Sequence, residues 1–188
     1  MEVKGEALIT IPLYILKKFG SKGYEKWFTA LSPAASKIYD SPINKSDWFP
    51  LQTALVEPTL IMCDLLFNKS ARGAWECGRF SADYGLKGIY KVLVKLSTPQ
   101  ILIKKAGPIL VNYYRPGQIE VADVDSNHVV IRITEFAEMS RVIEYRISGW
   151  MERALEICGC NHVTVNLTKS LTDCNACSEF SISWKRKL

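Results

Sequence analysis

SARGAWECGRFSADYGLKGIYKVLVKLSTPQILIKKAGPILVNYYRPG, residues Ser70–Gly117, decides how the rest of this 188-residue chain can be arranged. Ser70 is a helix-capping residue type, and Trp75, Phe80 and Tyr84 share the apolar face of the helix it would open. Ala71, Gly73, Ala74, Gly78 and Ala82 lie among them; such small residues admit a second helix or a ligand at close range. Gly85 and Gly88 weaken the middle, after which Ile89, Tyr90, Leu93, Val94 and Leu96 carry the apolar pattern toward Ser97. Pro99 suits the first turn of a further helix through Ile103 and Leu110 to Tyr113, and Arg115-Pro116-Gly117 ends it in a turn.

Upstream, Leu8, Ile11, Ile15 and Phe19 fall near one helical face, although Val3 to Ile9 also reads as a short strand. Gly20 stops that segment, and Ser21 can cap the next, where Tyr24, Trp27, Phe28 and Leu31 repeat at helical spacing. A short helix opens at Pro33, and Ser41 to Ser46 is a loop. Pro50 reads as the first residue of a helix through Leu51, Leu55, Met62 and Leu66, which Pro58 should kink.

Downstream, IEVADVDSNHVVIRITEF reads as two strands around a turn at Asp125-Ser126-Asn127. Ser140 caps a helix from about Arg141 to Ile157, stopped by Gly159. HVTVNLT and SEFSISW alternate with the period of strands. The order is helices, hairpin, helix, hairpin. That order is α+β: N-terminal helices packed on an antiparallel four-stranded sheet, as one domain over residues 1–188.

Composition narrows the function. Charged residues are 23% and apolar ones 48% of the chain, the balance of an ordinary globular protein. The net charge of +5 is dispersed, with clusters only at Lys17-Lys18, Lys104-Lys105 and Lys185-Arg186-Lys187, so a nucleic-acid partner is not expected. The start carries no signal-peptide pattern and no stretch is long enough to span a membrane, so a cytoplasmic location is the default expectation. In that compartment six cysteines read as thiols or metal ligands rather than disulfides. GxSxG, HExxH, P-loop and GxGxxG motifs are absent, and Asp64, Glu76 and Asp83 have no base to pair with; an enzyme is not expected. Glu152 and Glu156, one helical turn apart, read as a solvated face.

Several short motifs, taken in order, carry a resemblance: Trp48-Phe49-Pro50-Leu51, Gly78-Arg79-Phe80, Leu86-Lys87-Gly88-Ile89-Tyr90, Tyr113-Tyr114 with Gly117, Gly149-Trp150, and Phe180 with Trp184. Together they resemble a mainly myxobacterial family of uncharacterised single-domain proteins that is itself similar to the 4-vinyl reductase domain. The resemblance implies the superfamily of ligand-binding domains shared by nitric-oxide signalling and Golgi transport. It implies a hydrophobic ligand held between helices and sheet, or, as the alternative, a dimeric adaptor of the transport-particle type that binds a protein partner or a second copy of itself.

The residues allow three sites to be named. Trp75, Phe80, Tyr84, Tyr90 and Tyr113, with Tyr114 beside them, are the candidate lining of an apolar ligand pocket, although aromatics at helical spacing also make plain core. Cys158, Cys160, Cys174 and Cys177, as C-x-C and C-x-x-C, are a thiolate set suited to zinc; the resemblance implies Cys177 as a ligand. A strand from Val163 to Lys169 would hold the two pairs apart by roughly 23 Å, so unliganded thiols are the plainer reading. Cys63 and Cys77 read as core. His128 beside a turn and His162 at a strand start are poor places for an iron ligand, so haem is not expected. The reading is a non-enzymatic small-molecule-binding or sensory domain.

Overall fold

The computed structural model describes residues 1–86 and 98–186. The apolar run expected at Ile89, Tyr90, Leu93, Val94 and Leu96, the Leu86-to-Tyr90 motif beyond its first residue, and Lys187 lie outside the described residues. Strand β1 is Glu2–Lys4, helix α1 Gly5–Leu8, α2 Thr10–Thr29, α3 Pro33–Tyr39 and strand β2 Trp48–Pro50. A π-helical turn, Gln52–Val56, runs into α4, Glu57–Leu66, and α5 is Arg72–Gly85. Then come α6, Pro99–Lys104, α7, Ala106–Tyr113, β3, Tyr114–Arg115, β4, Gln118–Val124, and β5, His128–Glu135. Helix α8 is Arg141–Ile157, and β6, Cys160–Lys169, with β7, Ser178–Arg186, complete the fold.

The α+β expectation holds: helices pack against an antiparallel sheet of strand order β4-β5-β7-β6, made from the two hairpins. The first hairpin turns where Asn127 N–H donates to Asp125 Oδ1 at 2.9 Å and Asp125 N–H to the His128 carbonyl at 2.9 Å. A second sheet goes beyond that expectation. It is three-stranded, of order β2-β1-β3, and pairs Val3 with both Phe49 and Tyr114. Pro50 therefore ends a strand instead of starting a helix, and β2 is an edge, where a missing N–H is tolerated.

Prolines and glycines set the local breaks. Gly20 adopts φ 69 inside α2, a value that suits glycine, and the helix kinks there. Pro108 has no N–H for the Lys104 carbonyl, and the helix expected from Pro99 to Tyr113 breaks at Lys105 into α6 and α7. Pro58 cannot donate to the Ala54 carbonyl, so that oxygen accepts from the buried Tyr39 hydroxyl at 2.7 Å instead. The carbonyl of Pro58 in turn accepts from Trp27 Nε1 at 2.8 Å. The Ser140 hydroxyl does not cap α8; it is buried without a partner among the described residues, and the Ser140 carbonyl takes the Ile143 and Glu144 amides.

Helices α5 and α8 cross at the centre with their backbones almost touching. A Cβ at Gly78 would sit 2.0 Å from the Arg146 carbonyl oxygen, and one at Gly149 would sit 2.0 Å from that of Trp75. Outside this crossing the pair is clamped by charge: Arg79 donates to Glu156 at 2.8 Å and also bonds Glu152, and Arg153 bridges Glu156 at 2.7 Å and Asp83 at 2.9 Å. Glu152 and Glu156 thus fasten α8 to α5, and the expectation of a merely solvated face is corrected. Glu144, fully buried on α8, accepts from the Ser170 hydroxyl at 2.7 Å and from Ser178 at 2.5 Å, which anchors the helix to the β6–β7 connection.

Candidate functional site

The α5–α8 crossing places Arg146 in the interior. It is 3% exposed, on the α8 face that carries Ile143, Ile147 and Trp150. Its guanidinium donates to the Ala7 carbonyl at 2.8 Å, to Thr10 Oγ1 at 2.6 Å and to Cys77 Sγ at 2.9 Å. The Tyr114 hydroxyl also lies within its reach. Burial pushes the Cys77 thiol and the Tyr114 phenol up from their usual ranges, so both are neutral partners near neutral pH. Among the described residues no carboxylate lies within 4.0 Å of Arg146. A buried cation is usually paired, because desolvating it costs several kcal/mol.

Beside this guanidinium is a cavity of about 80 Å³, partly open to the outside, with nearly all of its wall apolar. Helix α8 contributes Arg146, Ile147, Trp150 and Met151, and α7 contributes Ile109, Leu110 and Tyr113. Ala7, Ser81, Tyr114 and Ile119 close it from α1, α5, β3 and β4. A smaller void of about 40 Å³ shares Ile109, Trp150 and Met151 with it and continues toward Ile131 and Ile182 of the large sheet. Burial raises the Tyr113 phenol as well, which leaves its hydroxyl a hydrogen-bond donor near the cavity.

Of the aromatics expected to line a pocket, Tyr113 is on this wall. Phe80 packs on Tyr14, 5.6 Å between ring centroids, with the Lys17 ammonium 5.4 Å from its ring. Tyr84 lies under the Lys45 ammonium at 5.2 Å. Trp75 donates from Nε1 to Glu152 at 3.2 Å, beneath the Arg79 guanidinium, and borders a separate groove with Arg141 and Leu167. Tyr90 is outside the described residues. Tyr114, also expected among the pocket aromatics, lines the cavity too. The residues missed from the sequence are Arg146, Ser81, Trp150 and Met151. One signal for them was available: Arg146 interrupts the apolar stripe Ile143, Ile147, Trp150 and Ala154, where a solvated arginine has no place.

The four C-terminal cysteines do not assemble. Cys158 caps the end of α8 and Cys160 opens β6, paired with the end of β7, while Cys174 and Cys177 precede β7 beside the end of β6. Among the described residues no group of three or more histidine, cysteine, aspartate or glutamate side chains is placed to hold a metal. His128 Nε2 is 3.0 Å from Ser181 Oγ on the large sheet, and His162 is exposed on β6.

No protein-family model matches the chain, and no curated protein matches it. Solved structures do. An H-NOX protein from K. algicida, solved in the Fe(II) unliganded state, matches with a TM-score of 0.73 at 12% identity, over 98% of each chain. An H-NOX protein from S. oneidensis in the Fe(II)NO state gives 0.75 at 12% identity, over 97% of this chain and 99% of that one. A mutant of T. Tengcongensis H-NOX gives 0.63 at 10% identity, over 98% and 99%. These neighbours are H-NOX proteins; the 4-vinyl reductase family suggested by the motifs is not shown. They also overturn the expectation against haem that the placing of the two histidines suggested, because proteins of this fold were solved in Fe(II) states. Tyr113, Tyr114 and Met151 line this cavity and are of residue types that can ligate haem iron, while neither histidine lines it. At these identities the likeness is one of fold, and the fold is that of H-NOX domains.

Proposed function

We propose that this chain is a non-enzymatic, small-molecule-binding sensory domain whose ligand enters the cavity between α7, α8 and the strands β3 and β4. The observation that carries the reading is the cavity itself: a small apolar hollow of about 80 Å³ beside a few convergent polar groups, the make-up of a ligand site on the scale of a small ligand. The fold supports it, since the matching structures include H-NOX proteins in the Fe(II)NO and Fe(II)CO states, with small gases as their ligands. The apolar character of the wall supports a hydrophobic ligand. Trp150 and Met151 lie where ligand binding would be felt by α8, and α8 is tied both to α5 and to the β6–β7 connection.

Toluene is a suitable test ligand, followed by methyl NMR of isotope-labelled protein. Saturable shifts centred on Ile109, Ile147 and Met151 are expected. Shifts scattered over the surface, or none at concentrations near toluene's solubility, would refute the reading.

A further inference from the structure

We propose that the ligand of this cavity is an amphiphile with an anionic head, a carboxylate in the simplest case, held by Arg146 while its apolar body lies against Ile147, Trp150 and Met151. The inference rests on the cavity reading and adds the charge of the ligand to it.

Charge balance in the interior calls for an anion at Arg146. Arg146 is 3% exposed, and every acceptor it has among the described residues is neutral: a carbonyl, hydroxyls and a thiol. The sequence across positions 87–97, KGIYKVLVKLS, contains no aspartate or glutamate, so that segment cannot supply the missing anion. Elsewhere this fold balances its interior charge, as Glu144 shows with two hydroxyls and Arg141 around it. Arg146 alone brings an uncompensated charge to the edge of an apolar hollow. A guanidinium carries five donors in a planar fork; Ala7, Thr10 and Cys77 take three and the Tyr114 hydroxyl is within reach of a fourth, which leaves one for a ligand. An incoming carboxylate would supply the counter-charge against a largely apolar wall, where the attraction is stronger than in bulk water. The same feature discriminates against a neutral ligand of equal shape, which would leave the cation unpaired.

Three probes of similar size separate the possibilities: toluene, benzamide and benzoate, titrated by calorimetry near neutral pH, with methyl NMR reporting the site. Benzoate is expected to bind at least tenfold more tightly than toluene and benzamide, with shifts at Ile147 and Met151, and Arg146→Met is expected to abolish that preference while toluene still binds. If toluene or benzamide binds as tightly as benzoate at those methyls, the cavity reading stands and the anionic head is refuted. Benzoate binding that leaves Ile147 and Met151 unshifted refutes it equally. If none of the three binds, both readings fall. Should Arg146→Met not fold, the wild-type series decides, since it compares charge at constant shape.

Discussion

Replacing Gly78 by alanine should destabilise this protein, although helix propensity alone predicts the reverse. In an exposed helix the change is worth about 1 kcal/mol in favour of alanine. Here the added methyl would lie 2.0 Å from the Arg146 carbonyl oxygen and 3.1 Å from the Arg146 Cα, whereas 3.4 Å is where such a contact becomes ordinary. The obstacle is backbone, which has no rotamer to change, so α5 and α8 must move apart. A separation of that order costs about 3 kcal/mol in lost contact and strain, at the upper end for overpacking. The net expectation is a loss of about 2 kcal/mol, or a melting temperature lower by about 4–8 °C for a chain of this length. Gly149→Ala meets the Trp75 carbonyl oxygen at 2.0 Å and should behave alike. Both substitutions are relieved by one and the same movement, so the double variant should lose less than the two singles together. Urea denaturation followed by circular dichroism measures all three. Unchanged or raised stability in Gly78→Ala would refute the close-crossing argument, and so would strict additivity.

Other expectations follow from single interactions. Tyr39→Phe strands the Ala54 carbonyl that Pro58 cannot serve and should cost about 1–3 kcal/mol, measured by the urea midpoint. Glu144→Ala leaves the buried Ser170 and Ser178 hydroxyls without their acceptor and should cost about 3 kcal/mol; hydrogen exchange should show the β6–β7 connection opening first. On β7, Glu179 is held down to about 2 by the Arg132 guanidinium opposite it on β5, with help from Thr168 and Lys169. A carboxyl whose folded value lies below its unfolded one, about 4.3, stabilises the fold above that unfolded value. That contribution should fade as pH falls from about 4 toward 2. Stability measured across that range in Arg132→Gln should therefore change less with pH than in the parent; an identical slope would show that the pair contributes nothing.

The hairpins, α8 and the small residues of α5 were legible because each is a local pattern: alternation, helical spacing, glycine at a position of close approach. The three-stranded sheet was not. Its strands are two or three residues long and come from the beginning, the first quarter and the middle of the chain, so no window of sequence contains the pairing of Val3 with Phe49 and Tyr114. The break at Lys105 was readable from Pro108 in hindsight, since a proline denies the carbonyl four residues earlier its donor. The pocket residues were misplaced for a related reason. Aromatics on α5 share a face in the sequence, yet Phe80 and Tyr84 turn toward α2 and the Lys45 loop, and the cavity is walled mainly by α7 and α8.

By itself, the sequence determined the main helices and the four strands of the large sheet, and that the two hairpins make one antiparallel sheet, because periodicity and turn chemistry act over a few residues. Only the tertiary structure decided that Gly78 meets the Arg146 backbone, that this contact drives a guanidinium into the interior, and that a hollow opens beside it. Those outcomes depend on which surfaces meet. Burial, cavities and unbalanced charge are properties of an assembled interior, and no local pattern encodes them.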